Sequence, residues 1–156
     1  MTTIDFSELD HHAMRLAIDA SRKALAAGNN PFGATLVSPE GEVMLVSENN
    51  QTTTADCTGH AEMVLVRDAS ARFGLPALRG ATVYASGEPC PMCAGAMYWA
   101  GISRVVYGAT SEDIRSALGS SGLPSSCTYL LRRATPPVRV DPELLREEAA
   151  SALRGG

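Results

Sequence analysis

The stretch Ala81–Tyr107 has the sequence ATVYASGEPCPMCAGAMYWAGISRVVY, and its pattern indicates the fold of the chain. It begins with a short apolar run, Ala81–Ala85, and ends with a second one, Arg104–Tyr107. Between them, residues 91–100 favour a helix, and Pro91 fits the first helical position because no amide donor is needed there. This order predicts a strand, a helix and a second strand, as in layered α/β folds.

The segments on either side predict further helices and strands. Residues 8–27 carry apolar side chains at helical spacing, with Ser7 as the N-cap and Gly28 as the stop. Two apolar segments around Pro39-Glu40-Gly41 predict a β-hairpin over 33–38 and 42–47. The other predicted elements are a polar loop over 48–58, a helix over 59–73, a short helix over 112–118, an exposed loop over 119–126, a strand over 138–140 and a final helix from Pro142 to about Leu153. We therefore predict an α/β layered fold with a mixed sheet, in a single domain spanning residues 1–156.

The composition limits the class of protein and its partners. Of 156 residues, 45% are hydrophobic and 19% are charged, which is typical of a globular chain. No apolar run approaches the ~18 residues that span a membrane, and the N-terminus lacks a secretory signal, so we expect a cytoplasmic protein without a membrane partner. The net charge is −4 and the thirteen Lys and Arg form no long cluster. Because proteins that bind nucleic acid usually present basic patches, we expect a small-molecule substrate and no nucleic-acid partner.

Two short motifs carry the chemistry, and they lie about thirty positions apart. His60-Ala61-Glu62 supplies an imidazole and a carboxylate, and Pro89-Cys90-Pro91-Met92-Cys93 supplies two thiolates. A catalytic Zn²⁺ takes three protein ligands and keeps a fourth position for water. His60, Cys90 and Cys93 are the candidate ligands, and both motifs fall at predicted helix starts, where thiolates are stabilised.

The remaining acidic group, Glu62, is the candidate catalytic residue. Zinc lowers the pKa of water from 15.7 toward roughly 7, so that water can attack at neutral pH. Glu62 would take the water proton, pass it to a ring nitrogen and later protonate the leaving amine. Water is then the co-substrate and ammonia the product of a hydrolytic deamination, and the H-x-E and P-C-x-x-C pair is the known signature of zinc deaminases.

Other interpretations of these residues remain open. A structural zinc site normally has four Cys or His ligands, and only three are evident here. A C-x-x-C pair also occurs in thioredoxin-like redox sites, although the His60-x-Glu62 motif favours a metal. Cys57 and Cys127 have no such partner residues, and we interpret both as small, buried or partly buried thiols.

From about Gly28 to Tyr107 the chain resembles the cytidine-deaminase-like superfamily, in the branch of guanine deaminases and tRNA adenosine deaminases. The similarity rests on these stretches: Pro31-Phe32-Gly33-Ala34, Asn49-Asn50, Thr58-Gly59-His60-Ala61-Glu62 and Glu88-Pro89-Cys90-Pro91-Met92-Cys93-Ala94-Gly95-Ala96-Met97-Tyr98-Trp99-Ala100. The resemblance implies a three-layer α/β/α fold with a mixed five-stranded sheet. It also implies a substrate site in which Asn49 hydrogen-bonds the base, the backbone near Gly59 and Glu88 approaches it, and Phe32 and Trp99 form apolar walls.

Within this branch, Tyr98-Trp99-Ala100 resembles the enzymes that act on free bases. Two departures concern the base itself: the acidic pair of guanine deaminases falls on Ser120 and Ser121, and the chain ends Leu153-Arg154-Gly155-Gly156 without a terminal aromatic residue. We therefore expect deamination of a guanine-, cytosine- or triazine-like ring. A tRNA adenosine deaminase that forms inosine is the alternative, and a zinc-stabilised binding module is the interpretation outside enzymology.

The resemblance further implies a homodimer or a larger even assembly, because enzymes of this kind complete their pockets near subunit contacts. Guanine deaminases can swap their C-terminal segment between subunits, and Glu143, Glu147 and Glu148 would then approach the partner's site. We consider solvated helix charges the better explanation for these three residues.

Overall fold

The architecture is a five-stranded sheet with helices on both faces. The computed structural model describes residues 3–119 and 122–156, so the expectation about Ser120 and Ser121 lies outside the described residues. The helices are α1 (Glu8–Ala26), α2 (Gln51–Thr54), α3 (Ala61–Phe73), α4 (Pro91–Trp99), α5 (Ser111–Leu118), α6 (Cys127–Arg132) and α7 (Arg146–Leu153), with a 3₁₀ turn at Leu75–Leu78. The strands are β1 (Gly33–Val37), β2 (Val43–Glu48), β3 (Thr82–Gly87), β4 (Arg104–Ala109) and β5 (Arg139–Asp141).

The strand order across the sheet is β2-β1-β3-β4-β5. β1 runs antiparallel to both β2 and β3, whereas β3, β4 and β5 are parallel to one another. The predicted strand, helix and strand are therefore β3, α4 and β4, and the sheet is mixed. The carboxyl ends of the parallel strands β3 and β4 lie at the same edge, where ligands bind in open α/β sheets.

Apolar side chains fill a separate core on each face of the sheet. On one face, α1 and α7 cover the strands with Met14, Ile18 and Leu153, among others. On the other face, α3, α4 and α6 bury residues such as Leu65, Met97 and Leu131. These three layers confirm the α/β/α fold with a five-stranded mixed sheet. Among the described residues, no helix combines the length and the apolar character needed to cross a lipid bilayer.

Helix α1 is fixed to the sheet by its first turn and by one close approach. Ser7 and Asp10 form a capping box: the Asp10 amide donates to Ser7 Oγ (3.0 Å) and the Ser7 amide donates to Asp10 Oδ2 (2.9 Å). Further along, a Cβ on Gly33 would lie 2.1 Å from the Ala17 carbonyl oxygen. Only glycine therefore allows β1 to lie this close to α1.

A buried polar network connects α1 to the centre of the sheet. Arg104 on β4 donates to Asp10 Oδ1 (2.8 Å) and to Asp141 Oδ2 (2.7 Å), and the Tyr84 hydroxyl also donates to Asp10. Burial alone raises the pKa of Asp10, but the bonds from Arg104, Tyr84 and the Ser7 amide outweigh it and lower the pKa to about 2. Asp10 thus holds a charge whose stabilisation depends on the fold.

The C-terminal third differs from the prediction in two elements. The final helix begins at Arg146 and not at Pro142, because Glu143 and Leu145 have positive φ angles of 67° and 52°, which no α-helix contains. The sequence analysis also missed α6, which follows the loop and is capped by Ser126, whose Oγ accepts the Tyr129 amide (3.0 Å). The short helix α2 lies inside the segment predicted as a polar loop.

We expect Asp10→Asn to lower the free energy of unfolding by about 3 kcal/mol at pH 7, since it removes the buried carboxylate that pairs with Arg104 and leaves Asp141 as the other carboxylate bonded to that guanidinium. The folded pKa of Asp10 lies below its unfolded value, so the wild-type advantage is present above about pH 4 and is lost as the pH falls through about 2. Urea unfolding of both proteins between pH 7 and pH 2.5 measures this difference.

The matched control is Asp19→Asn, which removes an exposed pair with Arg22 and should change stability by less than about 0.5 kcal/mol. Equal effects of the two substitutions, or a difference that does not vary with pH, would contradict the role of the network.

Candidate active site

Two helix starts bring the two sequence motifs together at the edge of the sheet. His60 is the N-cap residue of α3 and Cys90 is the N-cap residue of α4, with Cys93 in the first turn of α4. Both helices cover the same face of the sheet, and α4 follows directly after the end of β3. Each N-terminus therefore directs its amide groups and its positive dipole end toward the same small region.

The three candidate ligands form a nearly equilateral triangle. The distance from His60 Nδ1 to the sulfur is 3.5 Å for both Cys90 and Cys93, and the two sulfurs lie 3.6 Å apart. With ordinary zinc bond lengths, tetrahedral coordination requires about 3.6 Å between nitrogen and sulfur and about 3.8 Å between two sulfurs. The observed triangle fits Zn²⁺ through Nδ1 and two thiolates, and it is the one such group of three or more ligand side chains among the described residues.

The charge states of the two cysteines agree with this assignment. The hydrogen bond from the Cys93 thiol and the neighbouring His60 lower the pKa of Cys90 to about 4, against the opposing effect of burial. The same bond to Cys90, together with burial, raises the pKa of the Cys93 thiol, and the bond to Cys90 also raises the pKa of His60. One thiolate is thus stable without a metal, and zinc binding must release the second proton.

Glu62 lies in the first turn of α3, beside this triangle, and is 6% exposed. Burial, and then the adjacent Cys90 thiolate, raise the pKa of Glu62 to about 7. A nearby metal ion adds positive charge and favours the ionised form. A carboxyl group with a raised pKa is suited to both accepting and donating a proton near neutral pH.

The triangle and Glu62 open into a cavity of about 470 Å³. This volume lies in the range of small-molecule pockets. Apolar side chains from the end of the sheet and from α5 form part of its wall, together with the loop that follows α5: Phe32, Ile114, Leu118 and Leu123. His60, Glu62 and Cys90 line the same cavity, so the predicted proton carrier and two predicted ligands face one space.

Of the predicted substrate residues, Asn49, Phe32 and Glu88 line this cavity. Asn49 is 1% exposed and its side chain is held by two hydrogen bonds to Gln51. Glu88 follows β3; its amide donates to the Ala109 carbonyl (2.8 Å) and its Oε1 accepts the Ser111 amide (3.2 Å). Glu88 thereby connects the ends of β3 and β4 at the cavity.

Gly59 and Trp99 lie elsewhere. Gly59 is not among the lining residues: a Cβ there would lie 2.4 Å from Asn50 Oδ1 and 2.9 Å from the Gln51 nitrogen, so it packs behind the cavity wall. Trp99 ends α4, which places it about 13 Å along the helix from Cys90. It is 83% exposed, packs edge to face against Tyr98 with ring centres 4.9 Å apart, and does not line the cavity of its own chain.

The structure also adds cavity residues that the sequence analysis missed. Gln51 lines the cavity beside Asn49, and α5 contributes Ser111 and Arg115 in addition to its apolar residues. The position of α5 directly after β4 is a signal that could have revealed Ser111 and Arg115, since ligands bind at the carboxyl ends of parallel strands.

The other residues singled out in the sequence lie apart from the metal triangle. Cys127 is buried, as expected, and burial raises the pKa of its thiol to about 12, whereas Cys57 is exposed, so the expectation of a buried or partly buried thiol was wrong there. Glu143 pairs with Arg146 (2.8 Å) and Glu148 pairs with Arg15 (3.3 Å), as expected of charges on a solvated surface.

Comparison with known proteins identifies relatives of this chain. A family profile described as the cytidine and deoxycytidylate deaminase zinc-binding region matches residues 7–109. A probable cytosine deaminase of Schizosaccharomyces pombe is 31% identical over 166 residues, covering 99% of this chain and 96% of the relative. The guanine deaminase of Bacillus subtilis is 38% identical over 105 residues, 67% of each chain, and the tRNA-specific adenosine deaminase of the same organism is 40% identical over 100 residues, 64% of this chain and 62% of the relative.

Similarity also extends to a longer protein and to solved structures. A tRNA(Ile)-lysidine synthase of Deinococcus deserti is 38% identical over 142 residues, which are 91% of this chain but 26% of that protein's length. The structure of a guanine deaminase from Nitrosomonas europaea superimposes with a TM-score of 0.80 at 23% identity, covering 97% of this chain and 85% of the other, and shows the shared fold. The family profile covers most of the chain and includes the whole ligand triangle, and the chain therefore belongs to the zinc-binding cytidine and deoxycytidylate deaminase family.

Proposed function

We propose that this protein is a zinc-dependent hydrolase that removes the amino group of a free nucleobase or a related amino-substituted ring. The observation that carries the proposal is the meeting of the His60, Cys90 and Cys93 triangle with the buried Glu62 in one cavity of about 470 Å³. Ligands for a metal, a group that can carry protons and a cavity large enough for a small ring are thus present together. The guanine and cytosine deaminase relatives support the same reaction.

His60, Cys90 and Cys93 hold the metal in this proposal, with Zn²⁺ supplying a Lewis acid that makes water nucleophilic at neutral pH. Glu62 accepts a proton from the water as the water oxygen bonds to the amino-bearing ring carbon. Glu62 then donates that proton to the adjacent ring nitrogen. It then transfers the second water proton to the amino group as the carbon–nitrogen bond breaks. Ammonia leaves and the ring keeps a carbonyl oxygen, so one water is consumed for each ammonia released.

The rest of the cavity binds and orients the ring. Phe32, Ile114 and Leu118 offer apolar contacts to its faces, and Asn49 offers an amide to its edge. The backbone at Glu88 also approaches the ring in this proposal, while Gly59 acts from behind the wall by allowing the chain at Asn50 to pack closely. A cytoplasmic location is compatible with the four free cysteines.

We also propose that the protein forms a homodimer through the face that carries Trp99. In a single chain this side chain is too exposed for a large apolar residue, and exposed aromatic residues are typical of interface centres. Tyr98 lies against it, and Tyr129 on the neighbouring α6 is 54% exposed. A second copy covering this face would bury Trp99 and place it near a subunit contact. Exchange of the C-terminal segment between subunits has less support, because Glu143 and Glu148 form ion pairs within their own chain.

A tRNA adenosine deaminase is the second candidate, favoured by the Bacillus subtilis relative of that name. Two features count against RNA. The net charge is −4, and among the described residues that line the cavity Arg115 is the single Lys or Arg. A protein that grips a phosphate backbone normally places several cations around its site.

We expect Glu62→Gln to reduce kcat by about 10²–10⁴-fold while zinc remains bound, because the amide cannot carry the proton. His60→Ala should instead lose the metal, since only two ligands remain. Ammonia release and zinc content by elemental analysis measure the two effects, with the exposed Glu40→Gln as control. If Glu62→Gln left every measured function of the protein unchanged, that result would favour a zinc-stabilised binding module.

We expect the zinc-loaded protein to release ammonia from at least one member of a panel containing guanine, cytosine and an aminotriazine. The same preparation should show neither inosine formation in a tRNA anticodon loop nor tight RNA binding at low salt. Inosine formation without turnover of any free base would select the tRNA editor, and no turnover of any base, nucleoside or RNA would exclude a deaminase.

We expect light scattering of the wild-type protein to give twice the mass of one chain, and Trp99→Ser to shift the population toward monomers. Leu25→Ser is the matched control, because Leu25 is also an exposed apolar residue (40%) but lies on α1, across the sheet. A monomeric wild type, or equal effects of the two substitutions, would contradict this dimer.

A further inference from the structure

Three side-chain amides form a connected chain along one wall of the cavity. Asn30, Asn49 and Gln51 all line the cavity, and Gln51 lies between the other two. Gln51 Oε1 accepts from Asn49 Nδ2 (2.8 Å) and from Asn30 Nδ2 (3.0 Å). Neither Gln51 nor Asn30 was expected in the site from the sequence.

The orientation of these amides follows from one backbone bond. The Gln51 backbone N–H can only donate, and it lies 3.0 Å from Asn49 Oδ1. The oxygen of Asn49 is therefore on that side, and its Nδ2 donates to Gln51. Because Asn49 donates, the atom of Gln51 that it reaches must be the oxygen, and the Gln51 amide nitrogen lies on the other side.

A count of donors shows what remains unused. Gln51 Nε2 carries two N–H groups, and no hydrogen bond joins them to an acceptor among residues 3–119 and 122–156. Asn49 Nδ2 uses one of its two N–H groups on Gln51. On this wall, the amide nitrogen of Gln51 and the second N–H of Asn49 are donors without a protein acceptor, and an oxo oxygen on a bound ring is an acceptor that suits them.

We propose that Gln51 selects rings that carry an oxo group, by donating from its amide nitrogen to the ring oxygen and by holding Asn49 as a second donor. This inference rests on the proposed function and concerns the edge of the ring away from the amino group that is removed. A ring with an amino group in place of the oxo group would turn a donor toward these donors. Such a mismatch is unfavourable, because donors that face one another form no hydrogen bond, and the ring would displace water that had accepted from these groups.

Gly59 gives independent support for a fixed position of Gln51. A Cβ at residue 59 would come within 2.9 Å of the Gln51 nitrogen, the atom that orients Asn49. It would also come within 2.4 Å of Asn50 Oδ1. Glycine at this position lets the segment 49–51 pack against the residue before the metal ligand His60, and thereby keeps the amide wall next to the metal triangle.

The test compares ligand pairs that differ only in this group: guanine with 2,6-diaminopurine, and cytosine with 2,4-diaminopyrimidine. Dissociation constants are measured by titration calorimetry with the zinc-loaded Glu62→Gln protein, which binds without turnover, and kcat/KM with the parent for each base it deaminates. The variants are Gln51→Glu, which keeps the acceptor for Asn49 and Asn30 but removes the donor, and Gln51→Leu, which removes both. Thr52→Ala, exposed on the same helix and outside the cavity, is the control.

We expect the parent to prefer the oxo member of the pair, and Gln51→Glu to reduce that preference by at least about 10-fold, because a carboxylate accepts from an amino group. Gln51→Leu should weaken binding of both members, and Thr52→Ala should change neither. Melting temperature and zinc content identify any variant that fails to fold, and Gln51→Glu remains informative if Gln51→Leu does.

Several outcomes would overturn the inference. An unchanged preference in Gln51→Glu, with or without weaker binding in Gln51→Leu, would show that Gln51 does not select the oxo group. Ammonia release by a parent that has no oxo preference would overturn this inference alone. Binding with the oxo preference but without ammonia release from any base would overturn the proposed function and leave the selection by Gln51 intact.

Discussion

The structure depends on the convergence of two helix N-termini on one small volume that holds three metal-ligand atoms and a buried carboxyl group. Two thiolates and the ionised Glu62 carboxyl group carry three negative charges side by side, and a single protonated imidazole at His60 cannot balance them in this site. The pKa of Cys90 is lowered and that of Cys93 is raised for this reason, because one thiolate is favoured only while the other thiol keeps its proton. A zinc ion resolves the conflict by binding both sulfurs as thiolates, so the site is complete in charge only with its metal.

The sheet fixes that convergence from behind. β3 leads directly into Cys90, and the parallel β4 leads into α5, so two adjacent strand ends determine where the metal ligands and the cavity wall lie. Glu88 connects the two ends through the Ala109 carbonyl and the Ser111 amide. On the far face, the Arg104 network anchors α1 to β4 and β5, so the strand that precedes α5 is held from both sides. The strands and helices that carry the metal-ligand side chains and the cavity wall therefore fix their positions.

Local signals predicted the fold well where structure is decided within a few residues. Pro91 at a helix start and the apolar runs at 81–85 and 104–107 gave the correct strand, helix and strand, and the hairpin formed as expected. The final helix was predicted too early, because the positive φ angles at Glu143 and Leu145 are set by packing of the chain against β4, where the Leu144 amide donates to the Tyr107 carbonyl. Similarly, the spacing of His60, Cys90 and Cys93 anticipated the ligand triangle, whereas Gln51 lies on the four-residue helix α2, inside a segment that the sequence predicts as a polar loop. Trp99 is close to the cysteine motif in the sequence, but helix α4 places it about 13 Å from Cys90 along the helix axis.

The proposed reaction and the proposed choice of substrate consequently rest on different parts of the molecule. The candidate metal ligands and Glu62 are held by the starts of α3 and α4, where a shift of a residue would disturb the core on that face of the sheet. The amide wall at 49–51 and the cavity wall from α5 onward consist of short helices and turns, which can change without altering the sheet. The relatives that are similar to this chain are accordingly named for different substrates, guanine, cytosine and the adenosine of tRNA. In this chain the pairing of Gly59 with Asn50 and Gln51 ties the two parts together, because the residue beside the ligand His60 determines how closely the amide wall approaches the metal triangle.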